Sequence, residues 1–243
     1  MMMKSLNLKM GKNWLSCLFC LILSHPGYSD PDLPYLLGSC STPLLNSSHE
    51  RIQNIETAVQ KISGIIVKPG GTFSFNQTVG KRTLAAGFLS APAIVYAELQ
   101  DVVGGGICQV SSTLYNAILL SDLDVIERHR HHTPINYLPL GMDATVSWDS
   151  KDFRFKNSSE GRIQIIGRVS DVTVGFEIYG EKPLQNEFHL ETEIVESPSL
   201  LPNEETAPGL EIELYRVRLN EGKIIAREFL HRDFFPARII QKP

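Results

Sequence analysis

Three consecutive glycines, Gly104-Gly105-Gly106, run directly into Ile107-Cys108-Gln109-Val110, and from there Val110, Leu114, Ala117 and Ile118 recur at helical spacing. The chain must therefore turn sharply and enter a helix with a cysteine in its first turn. At that position unpaired backbone N–H groups and the positive end of the helix dipole favour thiolate over thiol. Cys108 is thus a candidate nucleophile. Two plainer readings stand beside it, since glycines ahead of a helix also make simple tight turns and a lone cysteine also serves as a small buried hydrophobe. A phosphate cradle is a poorer fit, because the P-loop lysine and the dinucleotide-binding glycine spacing are both missing.

The chain of 243 residues is long enough for one large domain or one domain with an appendage, and its 42% hydrophobic content allows a real core. A formal charge of −4 supplies no basic surface, so no nucleic-acid partner is expected. Lys4, Lys9 and Lys12 precede an apolar run over 14–23 and then Gly27-Tyr28-Ser29, which is the order of a secretory signal. Residues 1–29 are read as a signal peptide cleaved near Ser29, or as a retained anchor that associates the protein with the membrane. Either way the protein is expected to work outside the cytoplasm. Cleavage would discard Cys17 and Cys20 and leave Cys40 and Cys108, which in an oxidising compartment could close a disulfide.

Ser47 and Glu50 have capping-box spacing, and Ile52, Ile55, Val59 and Ile62 follow on one helical face. A short strand over 65–67 and a glycine-proline turn come next, whereas 80–97 reads as loop with a short strand over 93–96. After the cysteine helix the period changes. Segments 125–126, 135–138, 144–148, 153–155, 162–169 and 172–179 are rich in β-branched and aromatic residues and separated by turn formers, which predicts an antiparallel meander. The fold class expected is α+β, with the cysteine on a helix N-terminus packed against an antiparallel sheet. The main domain would occupy 30–186, an acidic, proline-bearing linker 187–209, and a C-terminal β-hairpin extension 210–243, its turn at Asn220-Glu221-Gly222.

A thiol nucleophile benefits from an imidazole that holds its proton and a third polar group that orients the ring. The chain offers His129, His131 and His132, then Asp143 and Asp152. Cysteine on a helix, histidine on the next strand and an acid on a following strand is the chain order of papain-like and transglutaminase-like folds. The polar run 127–132 also fits a solvated turn, and His129 and His131 with Cys108 could instead hold zinc, although no close-spaced ligand motif accompanies them. No metal or cofactor is expected. Ser111, Ser112 and Thr113 are read as lining the helix, because a hydroxyl nucleophile would need the base that Cys108 already claims.

Leu37-Gly38-Ser39, Thr42, Arg51, Asn54-Ile55, Pro69-Gly70, Phe73-Ser74-Phe75-Asn76, Val79-Gly80, the stretch 104–114, Glu127-Arg128, His131, Tyr137, Asp143-Ala144-Thr145 and Lys156-Asn157 together resemble the VanW domain over about 36–180. The hairpin resembles the tail that follows many such domains. The resemblance implies an exported protein, and in some family members an L,D-transpeptidase that makes peptidoglycan cross-links through a cysteine. Cys108 matches that cysteine and His131 the family histidine. Two positions depart from the pattern: His132 stands where a serine is usual, and Cys40 where an aromatic residue is common.

On this reading Cys108, His131 and Asp143 form the catalytic set, and the partners are peptidoglycan stem peptides. Gly105 and Gly106 would admit the substrate backbone, Gln109 and the backbone N–H groups of Cys108 and Gln109 would stabilise an oxyanion, and Arg128 would pair with a substrate carboxylate. An acidic neighbour at Asp122 or Asp124 is the alternative partner for Arg128. The alternative function is a non-catalytic envelope or glycopeptide-resistance accessory protein that binds cell-wall peptides.

Overall fold

A computed structural model describes residues 30–45, 47–95, 98–195, 206–207, 209–236 and 238–239; the signal or anchor segment 1–29 lies outside them. The chain runs β1 (Tyr35–Pro43), α1 (His49–Ile62), β2 (Ile66–Val67), β3 (Thr72–Ser74), α2 (Phe75–Val79), a 3-10 turn (Leu84–Ala86), β4 (Ser90–Val95), β5 (Glu98–Val103) and α3 (Ile107–Leu120). There follow β6 (Asp124–Glu127), β7 (Arg154–Lys156), β8 (Ile163–Val169), β9 (Thr173–Gly180), β10 (Glu187–Val195), β11 (Thr206–Ala207), β12 (Leu210–Asn220), β13 (Lys223–Phe235) and β14 (Arg238–Ile239). The result is a mixed α/β fold with few helices, in which every strand pairing among the described residues is antiparallel.

The central sheet has the order β1-β9-β8-β2, and α1 and α3 pack on it and on each other. Strand β9 alternates between half-buried and buried positions, burying Val174, Phe176 and Ile178, as a sheet covered mainly on one face requires. Helix α1 buries Asn54, Ile55, Ala58, Val59 and Ile62. Its cap is Ser48, one residue later than the spacing suggested, with the hydroxyl accepting from the Arg51 amide at 3.3 Å. Helix α3 has no solvent-exposed face: Ile107 and every residue from Gln109 to Leu119 are buried. Its Ser111, Ser112, Thr113 and Asn116 must therefore find partners inside the protein.

A second sheet, β3-β7-β6, and a third, β10-β12-β13, flank this core. Three expectations from the sequence change here. Segments 135–138 and 144–148 are not strands but parts of the long connection from β6 to β7, which makes one isolated bridge, Ser147 to Lys151. The stretch 80–97 contributes the first strand of a real hairpin, β4-β5. The expected linker 187–209 begins with nine residues of β10, paired along their whole length with β12, so the C-terminal hairpin is two strands of a three-stranded sheet.

Candidate functional site: a cysteine, a histidine and an aspartate in series

Cys108 is the second residue of α3 and is half-buried. The turn that delivers it is fixed from three sides. The Asn54 side chain donates to the Gly105 and Leu89 carbonyls at 3.0 Å each, and its oxygen accepts from the Leu89 amide. A Cβ on Gly105 would lie 2.4 Å from the Ala91 carbonyl oxygen, which no side chain tolerates. Gly106, with φ +104°, occupies left-handed backbone space that favours glycine. The empty faces of both glycines are thus filled by the protein itself, Gly105 by Ala91 and Gly106 by Arg51 and Ile55, so the close approach they permit is internal.

The connection from β6 to β7 brings the other two residues. Its segment 142–144 is bonded to the polar side chains of α3: Asn116 donates to the Met142 carbonyl at 2.7 Å, Ser111 to the Ala144 carbonyl at 2.6 Å, and the Ala144 amide donates to Ser112 at 2.9 Å. These bonds give the buried hydroxyls of the helix and the backbone of the strandless loop partners in each other. They also set Asp143. Its Oδ2 accepts from His131 Nδ1 and from the His131 amide, both at 2.6 Å, which leaves Nε2 as the ring nitrogen that serves Cys108. Thr145, two residues on, places its hydroxyl 3.3 Å from Cys108 Sγ.

The three groups shift one another's protonation in a consistent direction. Burial pushes the Cys108 thiol up, but the hydrogen bond and charge of His131, with Thr145 and the Val146 backbone, outweigh it and bring the pKa down to about 7. Burial likewise disfavours charge on His131, yet Asp143 on one side and Cys108 on the other raise it to about 9. Asp143 resists burial through His131 and Arg128 and stays below the usual carboxylate range. Between pH about 7 and about 9 the pair is mainly thiolate and imidazolium.

Arg128 completes the series from behind. Its Nη2 donates to Asp143 Oδ1 at 2.8 Å and its Nε to the Asp143 carbonyl at 2.6 Å, and it also engages both oxygens of Asp233 on β13. It is therefore not available to a substrate carboxylate, and its partners are Asp143 and Asp233 in place of Asp122 or Asp124. Gln109 is similarly committed: its side chain donates to Thr42 Oγ1 and the Pro43 carbonyl and accepts from Arg51, while its amide donates to Gly106. That removes Gln109 from the oxyanion role, leaving the Cys108 amide as the one expected donor not so used. His129 turns away to Glu127 at 3.0 Å, and His132 is exposed. Cys40 and Cys108 are not joined by a disulfide. Among the described residues no group of three histidine, cysteine or acidic side chains could hold a metal ion.

Asp233 had no sequence signal, being 105 residues from its partner. Arg51, Arg82 and Tyr137 also surround Cys108 closely enough to interact with its charge. A groove of about 800 Å³ between β6 and β13 reaches Arg128 and Asp233, and none of Cys108, His131 and Asp143 lines it.

Residues 50–179 match the family described as VanW like protein. The chain belongs to that family. It is 40% identical over 168 residues to YoaR of Bacillus subtilis, an uncharacterized protein, covering 69% of this chain and 54% of that one. It is 26% identical over 166 residues to the vancomycin B-type resistance protein VanW of Enterococcus faecalis, covering 63% of this chain and 60% of that one. The match thus spans little more than half the length of either VanW-family relative. No solved structure matches the chain significantly. Asp233 lies beyond the matched residues although it supports the site inside them.

Proposed function

We propose that this VanW-family protein is an extracytoplasmic acyl transferase that uses Cys108 on the stem peptides of peptidoglycan, in the manner of an L,D-transpeptidase or carboxypeptidase. The observation that carries the reading is the series Cys108, His131, Asp143, with His131 Nδ1 held by Asp143 at 2.6 Å and the thiol brought down to about 7. A structural cysteine needs no such support. The cysteine in the first turn of a helix supports the same chemistry, whereas His131 and Asp143 lie in the connection from β6 to β7 and not on strands, unlike the papain-like order expected from the sequence.

In the reaction, Cys108 thiolate attacks the carbonyl carbon between an L-centre and a terminal D-residue, and the carbonyl oxygen takes the negative charge. As the tetrahedral adduct collapses, the C–N bond breaks, His131 gives its proton to the leaving amine, and a thioester remains. An amine from a neighbouring stem, deprotonated by His131, then attacks the thioester, forms the cross-link and releases the thiolate; water in the amine's place trims the stem. The Cys108 amide at the start of α3 is the oxyanion donor on this chain, and a donor of this kind contributes on the order of 10²- to 10³-fold in rate. Asp143 holds the ring in the working tautomer.

Mass spectrometry of muropeptides incubated with the mature chain tests this directly. New cross-links or shortened stems are expected with the wild type and not with Cys108→Ala. Identical product profiles from the two would leave peptide binding as the function.

A further inference from the structure

Thr145 touches the reacting atom. Its hydroxyl lies 3.3 Å from Cys108 Sγ, and among the described residues that sulfur is the one hydrogen-bond partner of Oγ1. The backbone fixes the side chain from both directions. The Thr145 amide donates to the His129 carbonyl at 2.7 Å, Ala144 before it is bonded to Ser111 and Ser112, and Asn76 donates to the Ser147 carbonyl after it at 3.1 Å. Thr145 and Cys108 are both half-buried, so neither is sealed from solvent.

With the thiol ionised, sulfur has no proton to give and the hydroxyl must be the donor. Attack on a carbonyl takes that charge away. The new S–C bond leaves a thioether-like sulfur, which is a weak acceptor, while negative charge appears on the carbonyl oxygen. In the approach geometry the carbonyl carbon lies about 3–3.5 Å from the sulfur, and its oxygen is one bond of about 1.2 Å beyond. Oxygen and Oγ1 thus lie in the same shell around Sγ, and rotation about the Thr145 Cβ–Oγ1 bond turns the O–H from one acceptor to the other. The Cys108 amide is one donor for this oxygen. Gln109 is committed elsewhere, and His131 must give its proton to the leaving group. A hydroxyl already placed at the sulfur is the group free to act beside the amide.

We infer that the Thr145 hydroxyl is the second oxyanion donor, a catalytic residue that follows the negative charge from the thiolate to the carbonyl oxygen and back. Its proton stays on Oγ1 throughout, so no bond to Thr145 forms or breaks. This rests on the acyl-transfer reading above for the chemistry, and not for the identity of the peptide.

The test compares two reagents on the full chain. Iodoacetamide alkylates Cys108 by displacement at a saturated carbon, without an oxyanion. Acylation by p-nitrophenyl acetate passes through one, and its phenolate leaves without a proton from His131. Both reagents consume the same thiolate, so the ratio of the two rates at one pH cancels the ionised fraction; Cys108→Ala supplies the background. Thr145→Val is expected to lower the ratio of acylation to alkylation by about 10- to 100-fold. Thr145→Ser should stay within about threefold of wild type, with circular dichroism reporting that each variant is folded. A ratio unchanged by Thr145→Val would confine the hydroxyl to the thiolate and overturn the inference. So would an equal fall with Thr145→Ser, or a wild type that is alkylated but not acylated. The expected fall, together with no muropeptide conversion by the wild type, would leave the donor standing and remove peptidoglycan as the substrate.

Discussion

Asp233 accepts two hydrogen bonds from the guanidinium of Arg128, at 2.6 and 2.8 Å, and both side chains are almost wholly buried, with 6% and 8% of their surface exposed. The same guanidinium bonds Asp143, so β13 is connected to the thiol through four side chains in series. Asp233→Asn leaves a buried cation with one carboxylate. We expect a loss of about 3 kcal/mol in urea unfolding, near the lower end for a broken buried pair because Asp143 remains. The accompanying expectation is a higher thiol pKa, since a freer Asp143 holds His131 less firmly.

The charge state of the pair predicts a pH profile. The rate of Cys108 alkylation by iodoacetamide should climb as pH rises through about 7, well below the ordinary thiol value of 9.0. His131→Ala should move that climb back into the ordinary range. Acyl transfer needs the proton on His131 as well, so its rate should fall again above about 9. Stability follows the same two groups with opposite signs. The raised His131 contributes stability fully below its usual 6.5 and loses it as pH rises through about 9. The lowered Cys108 contributes above 9.0 and loses it as pH falls through about 7.

Asp143→Asn retains the shape of the side chain and removes the charge that favours the His131 imidazolium. The expected loss in the rate of muropeptide conversion is on the order of 10²- to 10⁴-fold. Thermal unfolding of the variant separates this from a fold defect, and a rate within threefold of wild type would show that the ring needs no such partner.

Gly105→Ala should destabilise the chain although it alters no reacting group. The new methyl would sit 2.4 Å from the Ala91 carbonyl oxygen, so β4 or the turn must move. Overpacking of this kind costs about 1–3 kcal/mol, read as a lower thermal midpoint, and the displaced turn should also slow alkylation of Cys108.

The sequence makes α1 legible because its buried face repeats at helical spacing, α3 because Val110, Leu114, Ala117 and Ile118 do, and β8 and β9 because β-branched residues run between clear turn formers. Cys108, His131 and Asp143 stand out by residue type and order. Segments 135–138 and 144–148 mislead for a definite reason: their composition suits strands, but the partners of this connection are helix side chains. The run Ser111-Ser112-Thr113 with Gln109 and Asn116 was the available signal, since five polar residues in a helix rich in apolar ones require internal acceptors and donors. Strand β10 reads as linker because Glu187, Glu191 and Glu193 give it an acidic composition, yet Glu191 and Glu193 pair with Arg227 from β13. The roles of Arg128 and Gln109 depend on groups 105 and 67 residues away, which no local pattern encodes.

The 105 residues between Arg128 and Asp233 also make this pair a closure between distant parts of the chain. A chain cut before β13 would retain Cys108, His131 and Asp143 and leave Arg128, still bonded to Asp143, with one carboxylate in place of two. The last long strand is thus structurally continuous with the cysteine helix, although it lies far beyond it in the chain.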